Sequence, residues 1–272
     1  MGKNTCEIFR NFISRSTGES CRPLVPFRIL PCSQLTRLDL SRSLSTGKDP
    51  LFRPPSICPP LSWQPFFAGS NPLPSHIAST LDIPSAIFPK FTVVYNDLRF
   101  LANLINEKIA TDTVMSTDIF HGAIHSVQVR LLDLAGNLED DIAECLRLGM
   151  LAFLTTTFQL PGRKLEYTHL AQRLKDMLTR VHTSTLGAQR MMSWVLMIST
   201  IAIFETDEPW IPRVWNMFVE EGLTWGELRS TLKGAIWIEC IHDAPAEKVF
   251  LKLDMQRSKP VVIESDNGVG IL

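Results

Sequence analysis

The sequence predicts an all-α protein: a single domain of about eight helices behind a proline-rich, largely irregular N-terminal segment. Two stretches carry that expectation. Leu138–Phe158 (LEDDIAECLRLGMLAFLTTTF) and Met191–Phe204 (MMSWVLMISTIAIF) are apolar on nearly every side beyond their first turns. A helix of that kind gains nothing from water on any face, so other helices must wrap it. The third observation is periodicity. After Pro89, apolar residues recur every three or four positions, and no stretch shows convincing strand alternation.

Taken in order, residues 1–50 read as a basic leader expected to be disordered, with Arg10, Arg15, Arg22, Arg28, Arg37 and Arg42 among serines. A mitochondrial presequence is disfavoured, because Pro23, Pro26 and Pro31 interrupt an amphipathic helix and Glu7 and Glu19 have the wrong charge. The N-myristoyl pattern opened by Met1-Gly2 lacks its Ser or Thr, since position 6 is Cys. Residues 51–90 read as a linker: positions 50–89 hold ten of the eighteen prolines, a density that forbids continuous helix or central strand.

Residues 91–254 then form the helical domain. Val94, Leu98, Leu101, Ile105 and Ile109 draw one apolar stripe. Ser116 offers a cap for a helix seamed by Phe120, Ile124, Val127, Leu131 and Leu134. Asn137 is the expected cap of the first buried helix, with Glu139, Asp140 and Asp141 in its first turn and Pro161-Gly162 closing it. Tyr167, Leu170, Leu174, Met177 or Leu178, and Val181 mark an amphipathic helix, and the second buried helix runs from about Ala188 to Phe204. Pro209 and Pro212 fit the first turn of a helix bearing Ile211, Val214, Trp215 and Phe218, ended by Gly222. Thr224 and Glu227 form a capping box for a helix with Trp225, Leu228, Leu232 and Ile236. A short last helix is expected to start near Pro245, with residues 255–272 as a mobile tail.

The 272 residues carry 45% hydrophobic and 20% charged side chains, enough for a sizeable core. The 27 basic and 28 acidic residues nearly cancel, which argues against broad electrostatic binding of nucleic acid. Cysteines 6, 21, 32, 58, 145 and 240 are too far apart for a zinc site, and Cys145 and Cys240 read as small buried hydrophobes. The longest apolar run, Trp194–Phe204, falls short of a membrane span, so a soluble protein is expected.

Four constellations invite chemistry, and each has a plainer explanation. His121 and His125 share a helix face, but Gly122 stands where a zinc protease needs its Glu. Asp140, Asp141 and Glu144 suit the start of a helix, and Glu144 can pair with Arg147. Ser45-Thr46-Gly47-Lys48 lacks the upstream glycine of a phosphate loop. His242-Asp243 fits a helix end, with Asp243 capping the next helix. No catalytic, cofactor-binding or metal residue is assigned, and no enzyme is predicted.

The helices also carry a likeness. Leu98-Arg99-Phe100-Leu101, Val129-Arg130-Leu131-Leu132 and Glu144-Cys145-Leu146-Arg147-Leu148-Gly149 come first. Trp194-Val195-Leu196-Met197, Ala202 and Glu208-Pro209-Trp210 follow, then Leu223-Thr224-Trp225-Gly226-Glu227-Leu228, Ile236-Trp237-Ile238-Glu239 and His242-Asp243. Their order over residues 91–253 resembles the C-terminal part of the helical regulatory region of fungal zinc-cluster (fungal-specific) transcription factors. The binuclear zinc cluster of that family needs six closely spaced cysteines, a pattern these cysteines do not make, so no ligand carries over. The resemblance implies a nuclear regulator acting through unidentified protein partners, not binding DNA by itself. The alternative is a stand-alone helical interaction module, nuclear or cytoplasmic, that has lost the DNA-binding part.

Overall fold

The structure, a computed structural model, describes residues 32–51, 89–113, 115, 117–157, 164 and 166–257. The expected cap at Ser116 and the Pro161-Gly162 closure lie outside these residues, as does most of the linker. The described residues form nine α-helices and no strand: α1 (Cys32–Thr46), α2 (Pro89–Ala110), α3 (Thr117–Asp133), α4 (Asp141–Thr156) and α5 (Thr168–Arg180), then α6 (Leu186–Ala202), α7 (Ile211–Phe218), α8 (Trp225–Lys233) and α9 (Glu239–Arg257). The all-α architecture expected from the sequence is what is observed.

The centre is the pair α4 and α6. Every residue of α4 from Ala143 to Thr156 is buried, as is every residue of α6 from Met191 to Thr200. The two helices approach closely at Gly149. A Cβ there would lie 2.9 Å from Val195 Cγ2 and 3.1 Å from Trp194 Cζ3, closer than packed carbons allow. The other helices wrap this pair: α3 and α5 lie on α4, while α7, α8 and α9 lie on α6. α5 shows the sequence logic cleanly. Leu170, Leu174, Met177 and Leu178 are its buried residues, at three- and four-residue spacing. Burying each contributes about 1.5–3 kcal/mol.

Helix ends depart from the sequence reading in instructive ways. The cap of α4 is Asp140, whose carboxylate accepts the Ala143 N–H at 3.0 Å. Asn137 instead donates to Asp133 O at 2.9 Å and closes α3. Glu139 therefore precedes the helix, and only Asp141 and Glu144 lie in its first turn. α6 starts at Leu186 because Thr185 accepts from the Ala188 N–H. α7 has Pro212 in its first turn but ends at Phe218, ahead of Gly222. The Thr224–Glu227 capping box is present, yet α8 stops at Lys233, leaving Ile236 in the following turn.

α9 differs most. It begins six residues before Pro245, which sits inside the helix. It also runs through Met255 to Arg257, where a mobile tail is expected. Arg257 reaches Asn216 Oδ1 at 2.7 Å, Val219 O at 2.9 Å and Glu220 O at 3.2 Å, capping the end of α7.

The expected disordered leader likewise contains α1, which packs on α3 and α5. Leu40 and Leu44 are buried there, one helical turn apart. Arginine content suggested a solvated segment, but these two leucines give the helix a face to bury.

Candidate functional site

A set of polar groups inside the fold surrounds the turn from Gly234 to Glu239, which joins α8 to α9. Three elements converge on it. From α6, Trp194 Nε1 donates to Ile236 O at 2.8 Å. From α2, Asn106 donates through Nδ2 to Trp237 O at 2.8 Å and accepts the Glu239 N–H at 2.9 Å. From α9 itself, His242 Nδ1 accepts the Ile238 N–H at 3.0 Å. Two otherwise orphaned donors at the start of α9 are thereby satisfied.

His242 is fully buried between Phe153 and Trp237, with ring centroids at 5.0 and 4.9 Å. Since Nδ1 accepts from Ile238, a neutral ring carries its proton on Nε2. Nε2 lies 2.8 Å from Thr156 Oγ1, whose own hydroxyl donates to Phe153 O at 2.6 Å. Both ring nitrogens of His242 and the Thr156 hydroxyl thus have partners. Burial drives the His242 pKa down to about 3, against a smaller opposing contribution from Asp243; the Ile238 N–H, which needs an unprotonated Nδ1 to accept it, also favours the neutral ring.

The neighbouring Asp243 faces elsewhere, accepting from Trp237 Nε1 at 2.8 Å and from Arg229 at 2.6 Å. Arg229 also meets Glu239 at 3.0 Å. His242 and Asp243 thus neither form a dyad nor mark a helix end; both lie inside α9. Sequence reading assigned them to a boundary because it placed the helix start at Pro245.

The acidic residues 140, 141 and 144 do not converge either. Asp140 caps α4, and Asp141 meets Arg180 at 3.2 Å on the surface. Glu144 is buried and takes a forked contact from Arg147 at 2.6 and 2.8 Å, plus Arg173 at 2.7 Å. Arg147 also donates to Leu131 O at 3.0 Å, closing α3 onto α4. The Glu144–Arg147 pairing expected from the spacing is present, and Arg173, twenty-nine residues away, is the member that spacing missed.

Ser45-Thr46-Gly47-Lys48 is the end of a helix, not the start of one. Gly47 has φ of +71° and donates to Ser43 O at 2.8 Å, a left-handed C-cap. The positive φ favours glycine there, and a Cβ would in addition push aside the exposed His169 ring, which lies 2.7 to 2.8 Å from where it would stand. Phosphate cradling needs the opposite helix pole. His125 is half-buried, and burial lowers its pKa; the His121 side chain lies outside the described residues. Among the described residues no three His, Cys, Asp or Glu side chains gather as metal ligands. The Cys145 thiol is fully buried and pushed well above its ordinary range, by burial first and then by Glu144 and Asp141. Cys240 is half-buried.

One cleft of about 500 Å³ opens between the start of α5 and the end of α6, over Tyr167, Ala171 and Phe204. Its rim includes Lys164, Glu205 and Glu208. Lys164 donates to Thr200 O at 3.0 Å and to Phe204 O, and meets Glu205 at 3.2 Å. Glu208 accepts from Trp210 Nε1 at 2.7 Å. Lys164 thus caps the C-terminal end of α6, where the dipole favours a cation. Among the described residues no helix is long and apolar enough to cross a membrane. No protein-family profile, curated protein or solved structure matches the chain.

Proposed function

We propose that the chain is a transcription-factor-like regulatory protein whose all-helical domain works through protein–protein contacts and does not read DNA by itself. The observation that carries this reading is where the family-like blocks fall. Leu98, Leu101, Leu131, Cys145, Leu148, Trp194, Met197, Leu228, Trp237 and His242 all enter one buried cluster or its polar lining. Blocks whose order resembles that of a regulatory region, and which contribute to one core, support this reading. The near-cancelled charge of 27 basic against 28 acidic residues supports contact with proteins over contact with phosphates.

The test tethers the full chain to a heterologous DNA-binding domain and reads a reporter transcript, alongside localisation and transcript profiling after deletion. A changed reporter and nuclear location are expected. A strictly cytosolic chain whose deletion alters no transcript would sink the regulatory reading and leave a stand-alone helical interaction module. Purified chain that binds one DNA sequence with steep salt dependence would overturn the part that excludes direct DNA reading.

A further inference from the structure

Three polar side chains are closed inside the α2–α3 pair with no group to answer them. Tyr95 and Arg99 stand one turn apart on α2, and Gln128 stands on α3; they are 1%, 9% and 3% exposed. Among the described residues nothing hydrogen-bonds to the Tyr95 hydroxyl, to Arg99 Nε or to Gln128 Nε2. The helices pack on each other and are joined by residues 111–116, so they run antiparallel. Arg130 meets Asp97 across them at 2.6 Å, which fixes their level. Two residues closer to the connection on each helix come Arg99 and Gln128, each turned by about 200° from that ion pair. Both therefore fall on the opposite flank at one height, with Tyr95 a turn away. Burial raises the Tyr95 pKa to about 12 and the Arg99 charge works against that rise, as a guanidinium near the hydroxyl does.

A buried guanidinium without a counter-ion is costly. Arg147 shows how this fold treats a structural one: Glu144 takes it in a fork at 2.6 and 2.8 Å. Among the described residues no carboxylate does the same for Arg99. We propose that Tyr95, Arg99 and Gln128 form a binding site for the carboxylate of a small organic ligand. The guanidinium supplies one positive charge and a planar edge, and the hydroxyl and amide add neutral donors. A single positive charge matches a monoanion and would leave a phosphate dianion half answered. The inference stands independently of the regulatory role proposed above.

The first test titrates the intact chain with sodium acetate and with sodium benzoate, against sodium chloride and sodium phosphate at matched pH and ionic strength. The readout is the Arg99 Nε–H signal in nitrogen NMR spectra, assigned by its absence from Arg99→Lys. A saturable shift, half complete at about 1–10 mM carboxylate, is expected, with none in chloride. No saturable shift with either carboxylate, or an equal one with chloride, would overturn the site. Tighter binding of phosphate would overturn the carboxylate assignment. Tyr95→Phe and Gln128→Leu should each weaken acetate binding about 5–10-fold, and unchanged binding in either would overturn the three-donor arrangement. Melting separates a ligand-binding arginine from a structural one. Arg99→Met removes the unanswered charge, so in chloride it is expected to melt no lower than the intact chain. Acetate should raise the midpoint of the intact chain and leave that of Arg99→Met unchanged. A lowered midpoint in chloride, or failure to fold, would show the charge already answered within the fold and would overturn the proposal.

Discussion

The seam between α4 and α6 and the turn between α8 and α9 are both buried, yet they are held by opposite means. In the seam, polar groups look after themselves. Ser199 and Thr200 donate to Val195 O and Leu196 O of their own helix, and Thr155 to Ala152 O. What joins the two helices is apolar contact, sharpened where Gly149 meets Val195. In the turn, the bonds run between elements far apart in sequence: Trp194 to Ile236, Asn106 to Trp237 and Glu239, and His242 to Thr156. The seam responds to volume and the turn to geometry.

Substitutions separate the two regimes, and the polar class is expected to give the larger losses. Glu144→Ala should cost most, about 3–5 kcal/mol in urea unfolding, because Arg147 would keep a buried charge with no carboxylate beside it. His242→Ala should follow at about 2–4 kcal/mol, combining a cavity between Phe153 and Trp237 with an uncapped Ile238 N–H. Gly149→Val, a pure volume change in the seam, should cost about 1–3 kcal/mol by thermal melting. Thr185→Ala, which removes the cap of α6, should cost about 1 kcal/mol. The sharpest form of the comparison is a double-mutant cycle. Asn106→Ala and His242→Ala are expected to couple, since both act on the start of α9, while either should add to Gly149→Val; additivity within the turn would dissolve the distinction.

pH supplies an independent handle on the turn. The folded pKa of His242 lies near 3, below its ordinary 6.5, so the unfolded chain binds this proton more readily. Between pH 3 and 6.5 the unfolded state holds more protons at this site, and stability contributed by His242 therefore falls as pH drops through that window. The limiting slope for one proton is about 1.4 kcal/mol per pH unit. Denaturation midpoints from pH 4 to pH 7 should lose that part of their slope in His242→Phe, and an unchanged slope would show that the ring does not titrate as the geometry implies.

The contrast also explains what could be read from sequence. The seam was legible because apolar residues on every side of a helix, as in Cys145–Leu154 and Trp194–Ile198, admit no outer position. The Thr224–Glu227 box and the Glu144–Arg147 pair were legible because both partners lie within one turn. The start of α9 was not. Its signals sit on Asn106 and Thr156, more than eighty residues away, and they outweigh the local warning of Pro245. Asn137 misled for a related reason: the same side chain that caps a following helix can close a preceding one. At α1, arginine density hid a spacing of two leucines that was there to be counted. For the polar site, the four-residue step from Ile238 to His242 was the one clue in the sequence, and it carries meaning only once Ile238 is known to begin a helix.

Cys145 turns the seam into a clock. Its sulfur is fully buried with its proton held firmly on, so an alkylating reagent in solution meets an inert thiol. Modification at this position must wait until α4 and its neighbours part. Followed by peptide mass, the labelling half-life of Cys145 at rising reagent concentration reports how often the centre opens and how long it stays open.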